Sequence, residues 1–181
     1  MKFLPFLFNR VLDHYNCPMI RKPTPDDLSR LAEIHVYGWR VAYRDIVPEI
    51  YLYKDRQVAS GIEMHRSILL QTPENIDLYD DGIVRGFALH SPARDEDKPA
   101  AYELGAIYVE PAFQGTGVGS ALIGHVERRA RDLGKPEVIV WAFERNAPAR
   151  RFYEKHGYSP DGVSKTIEEW QARELRYVKA L

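Results

Sequence analysis

The chain has 181 residues, 45% of them hydrophobic and 12% aromatic, enough for a single core of ordinary domain size. Lys and Arg number 25 against 26 Asp and Glu, which leaves a formal net charge of -1 and excludes the basic field that drives coating of nucleic acid. A lone cysteine, Cys17, excludes an internal disulfide, and the six histidines fall in no HExxH or CxxC spacing, so a reducing, cytoplasmic setting without a metal is expected.

The opening "MKFLPFLFNR" has a lysine before an apolar run, yet the run stops at Asn9 and Arg10 and no small-residue cleavage site follows, so it is not read as a secretion signal. No other stretch approaches the ~20 apolar residues that span a bilayer, and no membrane partner is expected. Residues 1–17 are read as an extension and 18–181 as one domain, with Met1 and Met19 both open as the true start.

Strand-like "MIRKP" begins the domain. Thr24, Pro25 and Asp27 then supply an N-cap, a proline in the first turn and a carboxylate at the third position, predicting a helix that runs to about Tyr43 with Leu28, Leu31, Ile34 and Val41 near one face. A second helix is expected over 48–70. "NIDLYDDGIVRGFALHSP" alternates on both sides of Asp81-Gly82 and predicts a hairpin. Residues 93–99, "ARDEDKP", form a charged surface loop, and 101–109 the next strand. After it, Leu122, Ile123, Val126, Ala130 and Leu133 mark a helix closed by Gly134, and "EVIVWAF" a buried strand; together they make a βαβ unit. Asn146-Ala147-Pro148 opens another helix that ends at Gly157, and "ELRYVKAL" is a final strand.

Within the βαβ unit, Gly115, Gly117 and Gly119 stand between strand and helix. Glycine lets backbone N–H groups approach a ligand, and the helix start adds unpaired donors with partial positive charge, so the loop suits a phosphate or pyrophosphate. A glycine-rich turn without a ligand is the other reading. The dinucleotide pattern fails, because the third glycine would fall on Ser120 or Leu122, and neither a Walker loop nor a nucleophile elbow is present.

The loop resembles the cofactor motif of the GCN5-related N-acetyltransferases (GNAT), Arg or Gln, two residues, Gly, one residue, Gly or Ala, on Gln114, Gly117 and Gly119. Asn146, Ala149, Tyr153, Gly157 and Tyr158 fit that family's downstream pattern. The resemblance is strongest over 101–158 and does not reach 1–17. It implies an α/β fold: a mixed, mostly antiparallel sheet with a central parallel βαβ unit flanked by helices.

The same resemblance implies that acetyl-CoA is the cosubstrate, in a cleft between the 101–109 strand and the Glu137–Phe143 strand. Its pyrophosphate would rest on Gln114, Gly115, Thr116, Gly117, Val118, Gly119 and Ser120, and its pantetheine arm on the backbone of Ile107 and Val109. Asn146 would contact the cofactor, although a plain N-cap role suits it equally. Tyr153 would give a proton to the departing thiolate, the other reading being an aromatic packed beside Phe152. Glu103 would be the base, with His90 or water as rivals. Asp95, Glu96 and Asp97 are read as a solvated loop.

The acceptor is expected to be a small primary amine or polyamine, met by Trp39 and Tyr43 among Asp45, Glu49 and Asp55, although core packing also explains the aromatics. A protein N-terminus or lysine is the alternative acceptor, and a CoA-binding sensor without catalysis the alternative function. A homodimer stays open.

Overall fold

The computed structural model describes residues 18–181; the expected 1–17 extension lies outside them. Seven strands form one sheet in the order β1-β2-β3-β4-β5-β7-β6. They are β1 (Met19–Arg21), β2 (Ile76–Asp80), β3 (Val84–Pro92), β4 (Tyr102–Val109), β5 (Glu137–Phe143), β6 (Ser159–Ile167) and β7 (Ala172–Ala180). Every neighbouring pair is antiparallel except β4 and β5, which run parallel because helix α3 (Val118–Asp132) carries the chain back between them.

Helix α1 (Leu28–Ala42) starts as read. Asp27 Oδ2 accepts from the Thr24 N–H at 2.7 Å and from Thr24 Oγ1 at 3.0 Å, and the same carboxylate takes two hydrogen bonds from Arg21. One acid therefore closes the helix start and pins it to β1. Leu31 and Ile34 pack on Ile76, Leu78, Val84 and Phe87 of the β2–β3 hairpin. On the opposite face α3 sends Leu122, Ile123, Val126 and Ala130 against Tyr102, Leu104, Val138 and Val140, joined by Tyr153 of α4 (Ala147–Lys155).

The expected helix over 48–70 is two elements. A π-helical turn occupies Tyr51–Asp55, the backbone extends at Arg56 and Gln57, and α2 runs Val58–Gln71. Leu52, fully buried with Trp39, Val47, Phe143 and Ala172, holds the separate turn in place. Strand β6 has no counterpart among the predicted elements; its burial is exposed at every position but the last, so it carries no apolar alternation, and pairing to β7 alone makes it a strand.

Two irregularities shape the centre of the sheet. Leu89 faces Ala106 whereas His90 faces Leu104, so Gly105 is an extra residue that bulges β4 against β3. On the other side, β4 pairs with β5 only through Tyr102↔Val138 and Glu103↔Ile139. Beyond Glu103 the two parallel strands diverge, and the later backbone groups of β4 have no partner on that side.

Candidate active site

The divergence opens a cleft of about 620 Å³. One wall holds Ile107, Val109, Gln114, Gly115, Gly117 and Gly119, with Ser120 and Asn146 beside them. The β4–α3 loop reaches this shape through left-handed backbone at Gly115 (φ 79°) and Gly117 (φ 98°), and nothing lies within 4 Å of where a Cβ would project from either. Gly117 is also the N-cap of α3 and has no side chain to satisfy the first-turn N–H groups. The loop thus offers open space and free donors at a helix start, which fits a pyrophosphate. Thr116 and Val118 stand off the cleft: Thr116 Oγ1 donates to the Phe113 carbonyl at 2.7 Å, and Val118 is buried in the core.

Asn146 Oδ1 accepts from the Ala149 N–H at 3.2 Å, so it caps α4 while its residue lines the cleft. The N-cap role of its sequence position is therefore present, on a residue that also borders the cleft. His156, at the end of α4, has Nδ1 2.8 Å from the Phe152 carbonyl, which places its proton on Nδ1 and leaves Nε2 to accept from Ser120 Oγ at 3.0 Å. This bond joins the ends of α3 and α4 across the mouth of the cleft.

Tyr153 is 6% exposed, packed near Phe152, Tyr158 and Tyr177, and lines the same cleft. Burial holds its phenol well above the usual range, so it stays protonated throughout the physiological window. Opposite it, Tyr43 at the end of α1 and Tyr108 of β4 meet hydroxyl to hydroxyl at 3.3 Å, and burial raises both phenols too. Tyr108 fits there because residue 38 is glycine: a Cβ on Gly38 would stand 2.7 Å from Tyr108 Cδ1. Three neutral phenols from three elements thus line the cleft.

Glu103 and His90 are not brought to this cleft. Glu103 lies in the paired, closed part of β4, roughly 13 Å along the strand from Ile107. Its carboxylate is 4% exposed as a residue and accepts from Arg94 Nε at 3.0 Å and Nη2 at 2.6 Å. His90 is fully enclosed, with Nδ1 2.8 Å from Tyr102 Oη and Nε2 2.7 Å from Asp77. Asp77 also meets Lys22 and His125. Burial lowers the His90 pKa despite the Asp77 carboxylate. The spacing of residues along β4 does not reveal where the strand parts from β5, so Glu103 read as adjacent to the opening when it is upstream of it.

On the acceptor side, Tyr43 and Asp45 line the cleft, with Arg44 and Ile46. Trp39 does not: it is 8% exposed beneath the Arg56 guanidinium, whose carbon lies 3.5 Å from the ring centre. The loop acids are not free carboxylates. Asp95 and Asp97 both bind Arg176, and Asp95 also accepts from Trp141 Nε1 at 3.1 Å. Cleft residues absent from the sequence reading include Tyr108, Phe152, Arg145, Lys155 and His156. Alternation along β4 would place Tyr108 on the face opposite Ile107 and Val109, and that signal was available.

Comparison with known proteins agrees with this geometry. Residues 35–158 match the Acetyltransferase (GNAT) family, and the chain belongs to that family. The uncharacterized N-acetyltransferase YuaI of Bacillus subtilis (strain 168) is 30% identical over 150 residues, 81% of this chain and 82% of that protein. In fold, the chain is similar to the PaiA N-acetyltransferase of Thermoplasma acidophilum, solved in complex with coenzyme A (TM-score 0.74, 19% identity, 91% and 99% of the two chains). It is also similar to YncA from Salmonella typhimurium, solved with its cofactor acetyl-CoA (TM-score 0.65, 19% identity, 92% and 95% of the two chains). The mixed sheet with one parallel pair is the architecture these structures share, and membership makes the chain an N-acetyltransferase. Among the described residues, no helix is long and apolar enough to cross a membrane.

Proposed function

We propose that this enzyme moves the acetyl group of acetyl-CoA to a small primary amine, a polyamine included, by direct attack and without a covalent enzyme intermediate. The observation that carries the reading is the divergence of β4 from β5 beside an uncapped, glycine-built helix start, with Tyr153 at the same cleft.

Acetyl-CoA, when bound, supplies the thioester carbon that the amine attacks. The first-turn N–H groups of α3 and the Gln114–Ser120 loop would hold the pyrophosphate, with Arg145, Lys155 and Arg44 lining the same cleft and adding positive charge. The unpaired backbone of β4 at Ile107 and Val109 would pair with the pantetheine arm, where an N–H can also support charge on the carbonyl oxygen. Tyr153 Oη would give its proton to the sulfur as the C–S bond breaks and regain one from solvent. The burial that keeps the phenol neutral would disfavour a free thiolate in the same way, so the rise in the phenol's pKa is offset by a rise in the thiol's.

The amine must shed a proton as the N–C bond forms. With Glu103 bound to Arg94 and His90 enclosed, water in the open cleft is the acceptor this arrangement favours. Asp45 supplies a carboxylate for a cationic amine, and the Tyr43–Tyr108 hydroxyl pair offers lone pairs to its N–H groups.

The test is thiol release from acetyl-CoA against polyamines, aminoglycosides, amino acids and short peptides. Turnover with polyamines or other small amines above the rate of water is expected. Turnover confined to peptides would move the acceptor to a protein N-terminus or lysine, and CoA binding with no turnover on any amine would leave a sensor.

A further inference from the structure

Between α1 and the start of α2 lies a second pocket, of about 200 Å³, lined by His35, Asp55, Arg56, Gln57, Ser60 and Met64 among others. It is separate from the acetyl-CoA cleft. A layer of rings stands between the two: His35 packs 4.7 Å from Tyr108, and Trp39 packs 4.8 Å from Tyr43, centroid to centroid.

Two groups in this pocket lack the partners their chemistry calls for. Arg56 lies half-buried on the face of Trp39, and among the described residues its guanidinium has neither a carboxylate nor a side-chain hydrogen bond. Stacking on an indole offsets part of the desolvation cost but uses none of the five N–H donors. His35 is 7% exposed and likewise has no hydrogen-bond partner for either nitrogen among the described residues. It is unlike His65 beside it, whose two nitrogens are wholly enclosed; His35 lines the pocket. A polar ring nine-tenths buried and open only to one small cavity, next to an unpaired cation, is what an absent acceptor leaves behind. The first turn of α2, through Gln57, Ser60 and Gly61, adds the positive end of a helix at the same wall.

We propose that this pocket binds a small carboxylate, taken by Arg56 in its planar fork, with His35 as a further donor and the positive end of α2 beside it. Asp55, exposed at the rim, argues for a singly charged group rather than a phosphate dianion, since it repels excess negative charge. The carboxylate has two sources that the same geometry accepts. In a simple organic acid Asp55 has no role, whereas in an α-amino acid it faces the ammonium group. The pocket is too small and too far behind the ring layer to be part of the acetyl-CoA cleft, so this inference stands apart from the identity of the acceptor amine.

Calorimetric titration of the full chain with acetate, with glycine and with inorganic phosphate, in a buffer of fixed ionic strength, tests it. Saturable binding of acetate or glycine is expected, weakened about tenfold or more in Arg56→Gln, the loss typical of one charge-assisted hydrogen-bonded contact. Arg56→Lys keeps the charge without the fork and should fall between the two. Unchanged CoA affinity in Arg56→Gln verifies that the fold is intact. Glycine binding more tightly than acetate identifies the amino acid; acetate binding as well or better identifies the simple acid. Absence of saturable binding by both carboxylates, equal affinity in Arg56→Gln, or binding of phosphate alone would each overturn the assignment.

Discussion

The two halves of the cleft are built on different principles. The half proposed for the cofactor is made of backbone: a bulged strand that loses its neighbour, two glycines in left-handed conformation and a helix start without a side-chain cap. The half proposed for the acceptor is made of side chains: Tyr43, Asp45 and Tyr108, set by the end of α1 and by the glycine that lets Tyr108 lie against it. A backbone site restricts residue type at fixed spacing, because only certain residues permit the geometry, and such a site can be read in one dimension. A side-chain site restricts only what converges in space. That is why Gln114, Gly117, Gly119 and Tyr153 line the cleft where their spacing put them, while Trp39, His90 and Glu103 do not line it.

The sharpest way to break the division is at Tyr153, the side chain to which the proposed reaction assigns the proton transfer. Tyr153→Phe keeps the buried ring and removes the proton donor, so kcat should fall ~10²–10⁴-fold with acetyl-CoA affinity little changed. Wild-type kcat under conditions where chemistry limits the rate would make the residue a packing element only. Next in size is the backbone itself. Gly117→Ala places a Cβ at φ 98°, a conformation costing roughly 1–2 kcal/mol for an L-residue, and CoA affinity should drop about tenfold or more. An unchanged Kd, with the variant folded, would remove the loop from cofactor binding.

The ring layer packed behind Tyr108 has its own signature in pH. Burial lowers the pKa of His65 from 6.5 to about 4, and that of His35 to about 3. In the unfolded chain both rings take up a proton below 6.5, which the folded protein resists; stability is therefore full above that pH and falls as pH drops towards 4. The slope is at most about 1.4 kcal/mol per pH unit for each ring, and His90 adds in the same direction. Urea unfolding of wild type and His65→Leu between pH 6.5 and 4.5 should show the shallower slope in the variant. Parallel slopes would mean that His65 titrates no differently in the two states.

The smallest expected effect is at Glu103. If water takes the amine proton, Glu103→Gln leaves kcat/KM near neutrality within a few-fold of wild type, with some loss of thermal stability from its Arg94 partner. A fall of ~10²-fold that shrinks at high pH would instead make Glu103 a base acting along a water chain, and would show that the closed part of β4 communicates with the opening.

Most of the fold was legible for the same reason as the cofactor loop. Strand β5 occupies Glu137–Phe143 as its apolar run indicated, Asn146 opens α4, and Thr24 and Asp27 cap the first helix. What escaped lacks local periodicity. Strand β6 faces solvent along nearly all its length, with Gly162 at φ 90° and a register shift between Pro160 and Ser164, so its strand character comes from β7. The break between the Tyr51–Asp55 turn and α2 depends on Leu52 docking under Trp39, a contact no window of sequence contains.

Arg176 works as a fastener at the edge of the sheet. It is 2% exposed and bonded to Asp95 and Asp97 of the 93–99 loop and to Asp161 of β6, so one guanidinium rivets three chain segments across β7. Loss of the guanidinium leaves Asp95 and Asp161 without their cation and unties the loop and β6 from β7. The β6–β7 edge of the sheet is consequently held as one piece, and the Tyr51–Asp55 turn, whose Leu52 packs with Phe143 of β5 and Ala172 of β7, is seated against it.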